Sequence, residues 1–266
     1  MAYGPPVVVE GRPREGLPFG LFSVLQFGES ADERWINGIE WETMSCEPAS
    51  GFEDPSCDTF GDAGGQIRKF FRGSGATGEA RSFGVYGSYK CGAPGGDAFR
   101  EGEERATAHL LAREEGQAEA RVWARLQTEA TDVGGAASDP AAALADLELW
   151  LGRNYGSLGV IHMTRDAALL LGETHLYRSG THLYTTLGTP VSAGGGYPGT
   201  GPLDGSGDPQ AGTWMLASPA LFGRRGQVMS RRELDREKND VYALAERQYV
   251  VGFDPCGVAA ALTNIA

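Results

Sequence analysis

The residues with the clearest chemical spacing in this 266-residue chain lie in the stretch GGGYPGTG, where Gly194, Gly196 and Gly199 satisfy G-x-G-x-x-G. In dinucleotide-binding proteins such glycines let a strand turn tightly into a helix, whose N-terminal N–H groups and dipole hold a pyrophosphate. Here the following PLDGSGDPQAG carries two prolines and three glycines and cannot open a helix. No Lys-Ser or Lys-Thr pair follows it, as a Walker loop requires. The stretch therefore reads as a flexible tongue, residues 194 to 212.

The other reactive types are scattered. His109, His162, His175 and His182 lack the H-x-x-x-H or H-E-x-x-H spacing of a metal site. His162 falls inside the apolar run LGVIHMT and reads as a core residue satisfied by hydrogen bonding. If the chain were a hydrolytic enzyme, His162, Asp166 and His182 would be the residues to test. No G-x-S-x-G elbow is present, and Cys91 beside Lys90 is a lone thiol without a placed histidine. The pairs Glu103/Glu104 and Glu114/Glu115 read as solvated charge on a helix face. Of the four cysteines, Cys46 and Cys57 form either a clip within a Gly/Pro-rich segment or, like Cys91 and Cys256, free or buried thiols of a reducing compartment. These readings leave no catalytic residue, no cofactor and no metal site.

Composition narrows the class further. The chain is 41% hydrophobic and 9% aromatic, as a globular protein is, but its 40 glycines and 14 prolines imply long turns and loops. A net charge of -12 argues against a surface that grips nucleic acid, because that affinity comes from Lys and Arg neutralising phosphates. No apolar run reaches the length of a membrane span, and MAYGPPVVVEGRPREG lacks the basic-then-apolar order of a secretory signal. Synthesis in a cytoplasm is the expectation.

The elements that must position these residues change texture along the chain. Prolines at 5, 6, 13 and 18 make the first thirty residues an extended arm. RWINGIEWETMSCEP alternates, with a strand around Ile36 to Trp41; ASGFEDPSCDTFGDAGGQ is a loop; RSFGVYGSYKCG is a second strand. From Asp97 to about Glu129 there is no proline, and Phe99, Ala106, Leu110, Ala118, Val122 and Leu126 share one stripe of a helix about 45 to 50 Å long. Asp139 and Pro140 start a second helix with Leu144, Leu147 and Leu151 on one face. LGVIHMT is a buried strand and Thr164 caps a brief helix. THLYTTLGTPVSAG is a hairpin closed near Leu187 to Gly188, GTWMLAS and GQVMS are strands, and RRELDREKND is a charged excursion. VYALAERQYVVGFD is a long strand that turns at Asp254 to Gly257 into a terminal one.

An arm, a strand pair around a Gly-rich excursion, one very long helix, and an α/β region with a large loop and a closing strand together resemble the Hong Kong 97-type major capsid proteins of tailed phages, a fold shared with encapsulins. The textures of GVIHMT, LYTTLGTPVSAGGGY and AERQYVVGFD are similar to actinobacterial-phage virion proteins. The resemblance implies an α+β capsid fold with an N-terminal arm at 1–33, an E-loop region at 34–80, a P-domain at 81–138 and 241–266 with its spine helix at 97–129, and an α/β A-domain at 139–240. It implies a structural virion protein, not an enzyme, made in a bacterial cytoplasm and assembling with copies of itself into pentamers and hexamers. Decoration, scaffolding and portal proteins are further implied partners, with packaged DNA as non-specific contents and no membrane. A minor capsid, connector or tail component is the other structural role considered. Trp35, Trp41, Phe70, Phe71 and Tyr197 are the expected assembly contacts. No Lys and Asn pair is assignable to covalent crosslinking.

Overall fold

The computed structural model describes residues 16–28, 33–43, 46, 47, 49, 75–92, 97–136 and 139–264. The arm contributes one helical turn, α1 (Leu21–Val24), and a two-residue strand, β1 (Gln26–Phe27). A 3-10 turn over Glu33–Asn37 leads to β2 (Ile39–Thr43), followed by β3 (Ala76–Ala80), β4 (Phe83–Gly92) and the long helix α2 (Ala98–Glu129). Next come β5 (Ala130–Asp132), α3 (Pro140–Trp150) with a π turn over Leu151–Tyr155, β6 (Val160–Thr164) and α4 (Arg165–His175). The remainder is β7 (Leu176–Ser179), β8 (His182–Thr185), β9 (Pro190–Gly194), β10 (Thr213–Ser218), β11 (Leu221–Arg225), β12 (Met229–Asp235), β13 (Asp240–Phe253) and β14 (Val258–Thr263).

These strands form two large sheets and one isolated hairpin. β13 pairs along one edge with β4 and along the other with β12 and then β11, and β1 adds parallel to β11. The seven-stranded sheet runs β5-β14-β10-β6-β9-β8-β7 and is mixed, with β5 parallel to β14 and β6 parallel to β9. Among the described residues, β2 and β3 pair only with each other.

The burial of α2 explains how the sheets are joined. Ala106 and Leu110, in its first half, pack with Val85, Ala243, Ala245 and Tyr249 of the five-stranded sheet. Its second half, through Ala118, Val122, Trp123 and Leu126, meets Trp214, Leu216, Val258 and Ala260 of the seven-stranded sheet, and also Val251 and Phe253. The opposite face of that sheet is covered by α3 and α4, so Ala259 and Ala261 of β14 point to Leu144 and Leu147 while Val258 and Ala260 point to α2. A strand buried on both faces reads as a continuous apolar run, which is why LGVIHMT and CGVAAALTNI show no alternation. The expected stripe on α2 is buried except for Phe99, which is only partly covered and carries Arg232 above its ring. Asp139 caps α3 through Oδ1, which accepts from the N–H groups of Ala141 and Ala142, with Pro140 at the first helical position.

Several sequence expectations shift. The first strand begins at Ile39, because Gly38 at φ +117° breaks the chain between the 3-10 turn and β2. RRELDREKND is largely strand: β12 runs to Asp235 and hairpins into β13, and its exposed charges suit an edge. Thr164 makes no side-chain cap for α4. β11 and β12, within the stretch assigned to the A-domain, pair with β13, whereas β14, assigned to the P-domain, joins the other sheet.

Candidate functional site

The glycine stretch turns back onto α2 instead of projecting as a tongue. Gly196 N–H donates to Glu119 Oε2 at 2.7 Å, the Trp123 indole donates to Thr200 O at 3.0 Å, and the Gln127 amide donates to Gly201 O at 2.7 Å. A Cβ on Gly196 would overlap the carbonyl oxygen of Gly116 in α2, so this backbone approach requires glycine. Only the outer part stays exposed, closed by a bridge between Leu203 and Pro209. Tyr197 is a correction to the expected assembly contacts: it is 6% exposed and belongs to the chain's own core, its ring against Trp123. The loop is shaped by packing on α2, which the glycine spacing alone does not reveal.

His162 is fully buried, with Nδ1 3.0 Å from Tyr197 Oη and Nε2 3.0 Å from Ser218 Oγ. Ser192 Oγ completes the chain of hydroxyls at 2.7 Å from Tyr197 Oη. Burial lowers the imidazole pKa to about 3 and raises the Tyr197 phenol well above its ordinary value. Both ring nitrogens are thus committed to neutral partners, not to Asp166 or His182. His182 lies exposed, with Nδ1 2.6 Å from Ser23 O of the arm. The three residues are not assembled as a catalytic group, and His162 is the satisfied core histidine its apolar run suggests.

The arm is fastened by two carboxylates that sequence reading places on a solvated face or passes over. Glu119 Oε1 accepts from Leu21 N–H at 3.0 Å and Glu115 Oε1 from Phe22 N–H at 2.8 Å. These are the free N–H groups at the start of α1, whose own N-cap, Gly20, has no side chain to offer. Arg165 closes the other side: its guanidinium donates to Pro18 O at 2.9 Å, while Ala193 N–H donates to Phe19 O at 2.7 Å. Phe19 is held at φ +68°, in the left-handed region a phenylalanine rarely enters. Desolvation, with the neighbouring charges of Glu119 and Glu114, raises the Glu115 pKa to about 7 against the opposing Phe22 N–H and Arg165; Glu119 is raised for the same leading reason. Glu114 is likewise not solvated. It is 5% exposed, paired with Arg247 at 2.8 Å and accepting from Tyr249 Oη at 2.7 Å.

The β2–β3 hairpin is the second projecting feature. Arg125 of α2 donates through Nη2 to Glu79 O at 2.8 Å and through Nη1 to Val251 O at 3.1 Å, with its guanidinium 4.7 Å above Phe253. Trp41 lies edge-on to Phe222 at 4.7 Å, above Gly78 and Gly252, where any side chain would collide with the indole. Cys46 is bonded to Cys256, with a Cα separation of 5.4 Å across 210 residues. This corrects both alternatives read for Cys46 and Cys256, a Cys46–Cys57 clip and free or buried thiols: β2 runs toward the Asp254–Gly257 turn, and Cys57 lies outside the described residues, as do Phe70 and Phe71. Trp35 and Trp41 are half-buried beside the stem, and the Trp41 Nε1 is buried with no hydrogen-bond partner among the described residues. Cys91 is free, and the Lys90 ammonium beside it is 2.8 Å from Asp240.

Comparison in sequence finds nothing, whether with protein-family models or with curated proteins. Comparison in structure is informative. The capsid of a native GTA particle superposes at TM-score 0.57 over 98% of this chain and 95% of its own, at 12% identity. The fold is that of phage capsid chains. A chain from Gordonia phage Cozz gives TM-score 0.54 over 98% and 92% at 10% identity, and one from Mycobacterium phage Che8 gives 0.53 over 98% and 97% at 13% identity. The resemblance read from element order holds at the level of this capsid fold, which extends from end to end of the described chain.

Proposed function

We propose that this chain is the structural subunit of a phage-type shell and assembles with copies of itself into the icosahedral capsid that encloses the genome. The observation that carries the reading is the end-to-end likeness to the capsid of the GTA particle, TM-score 0.57 over 98% of the chain. The chain's own physics supports it. The β2–β3 pair lies outside both large sheets, and intersubunit contact offsets the entropy of ordering such a segment. A net charge of -12 also keeps a shell's surface from binding packed nucleic acid non-specifically.

On this reading residues 16–28 belong to the N-terminal arm, the β2–β3 hairpin is the stem of an E-loop, and α2 is the spine helix of a P-domain built on the five-stranded sheet. The seven-stranded sheet with α3 and α4 is the A-domain. Trp35 and Trp41 flank the hairpin stem, half-buried, and their exposed edges are the surface offered there to a neighbouring copy. The partners are copies of this chain in pentamers and hexamers. The chain acts in the virion and is made in the host cytoplasm. Electron microscopy of the purified full chain tests the proposal: closed shells or capsomer rings are expected, and a strictly monomeric species under every assembly condition, absent from particles, would overturn it.

A further inference from the structure

We propose that the Cys46–Cys256 pair is a redox latch that decides whether the β2–β3 hairpin is pinned to the body or free to swing. The hairpin joins neither large sheet, and a two-stranded hairpin is marginally stable alone. Its base is fixed where Gly38 N–H donates to Trp35 O at 2.9 Å and where Ser82 Oγ bonds Ile36 O. Next to the base, Glu79 pairs with Glu40 and is held by Arg125. The five-residue strands then run about 13 Å to the far end, Thr43 opposite Ala76. Cys46 lies three residues past Thr43. It is therefore at the end of a lever whose bend, Gly38 at φ +117°, lies at the opposite end.

The other half of the pair is on a fixed point. Cys256 lies in the Asp254–Gly257 turn, where the chain leaves β13 of one sheet and enters β14 of the other. That turn is rigidly built: Cys256 N–H donates to Asp254 O at 2.7 Å, Gly257 takes φ +86°, and Phe253 and Val258 on either side are each 2% exposed. The bond consequently joins a lever tip to the junction of the two sheets. The stem is held at its base and, midway, by Trp41 against Phe222 and over Gly252, so the covalent tie acts on the end farther out.

Closure balances as two thiol–disulfide exchanges with a low-molecular-weight disulfide. The Cys46 or Cys256 thiolate attacks one sulfur of the reagent, expelling the first thiol and leaving a mixed disulfide. The second cysteine then attacks the protein sulfur, forms the Cys46–Cys256 bond and expels the second thiol. The protein loses two electrons and two protons, and the reagent gains them. A dithiol reverses both steps, so a reducing compartment leaves the lever unlatched.

The latch goes beyond the shell proposal. On that reading, the stem stays unlatched in the reducing cytoplasm and is fastened once particles leave it. The test uses the full chain in solution, so its outcome is separate from that of particle microscopy. Oxidised glutathione is added to one sample and dithiothreitol to another; differential alkylation counts the thiols, and hydrogen exchange follows peptides covering 39–43 and 76–80. Cys46 and Cys256 are expected to be protected together only after oxidation, with hairpin amides exchanging about tenfold or more faster after reduction. The double variant Cys46→Ser/Cys256→Ser should match the reduced protein in both buffers, and Cys57→Ser/Cys91→Ser should keep the full response. Reduction and reoxidation of the unaltered protein gives the same readout if a variant fails to fold. Mapping Cys46 to Cys57, free Cys46 and Cys256 thiols after oxidation, or equal hairpin exchange with and without the bond would each overturn the latch.

Discussion

Glu115 and Glu119 show how two residues turn a helix face into a fastening. Docking the arm places both carboxylates at the start of α1 and takes them out of water, and burial is the leading cause of their raised pKa values. A group whose pKa is raised on docking binds protons more tightly in the docked state. Its contribution is fully present below the free value near 4.5 and is lost as pH rises through about 7. Arm docking should therefore weaken between pH 5 and 8, the opposite of a carboxylate held by a cation; Arg165, Glu114 and the phenol of Tyr197 are the other charged or titratable groups in this setting. Hydrogen exchange of a peptide covering 19–25, corrected for intrinsic rates, should speed up across that range. Glu115→Gln should flatten much of the slope, Glu119 keeping a remainder. Protection that is constant from pH 5 to 8 in the unaltered chain rules this out.

Among the elements, the hairpin stem depends most on one side chain. Arg125 spans from α2 to Glu79 O of β3 and Val251 O of β13, so it joins three elements that no sheet unites. Arg125→Met keeps an apolar stem over Phe253 but removes both donations, and hydrogen bonds from a charged group are worth about 1.5 to 3 kcal/mol when lost. Faster exchange in 76–80, by about one to two orders of magnitude, is expected, with β6 unchanged. Equal protection in both proteins would remove Arg125 from this role. The same side chain marks a limit of the sequence. Helix α2, the cap at Asp139 and the buried strand at LGVIHMT were legible because their causes are local: absence of proline, an N-cap before a proline, an unbroken apolar run. The burial of Glu114 and Glu119, the docking of GGGYPGTG and the Cys46–Cys256 pairing depend on partners 73 to 210 residues away, and no local period encodes those. One trace was present: Gly196 sits in a loop that could do without glycine there except where its backbone touches that of Gly116.

At the scale of the whole molecule, α2 is a shared wall and not a spacer between two independent domains. Ala106 and Leu110 belong to the core of the five-stranded sheet, while Trp123 and Leu126 belong to a core that also holds Trp214 and Leu216 of the other sheet and Val251 and Phe253 of β13. Leu21 and Leu25 of the arm enter that second core. Element order could be read from sequence, but the division into sheets could not, because β14 follows β13 in the chain and crosses to the other sheet. Such a shared core predicts a single cooperative transition. Trp123 is fully buried with its indole donating to Thr200 O, and truncating a core tryptophan costs about 3 to 5 kcal/mol. Trp123→Ala should therefore lower the stability of both sheets together: peptides from β6 and β10 and peptides from β4 and β13 should lose protection at the same denaturant concentration. If β4 and β13 stay protected after β6 and β10 have exchanged, the sheets are separate cooperative units, and α2 then belongs energetically to the five-stranded sheet alone.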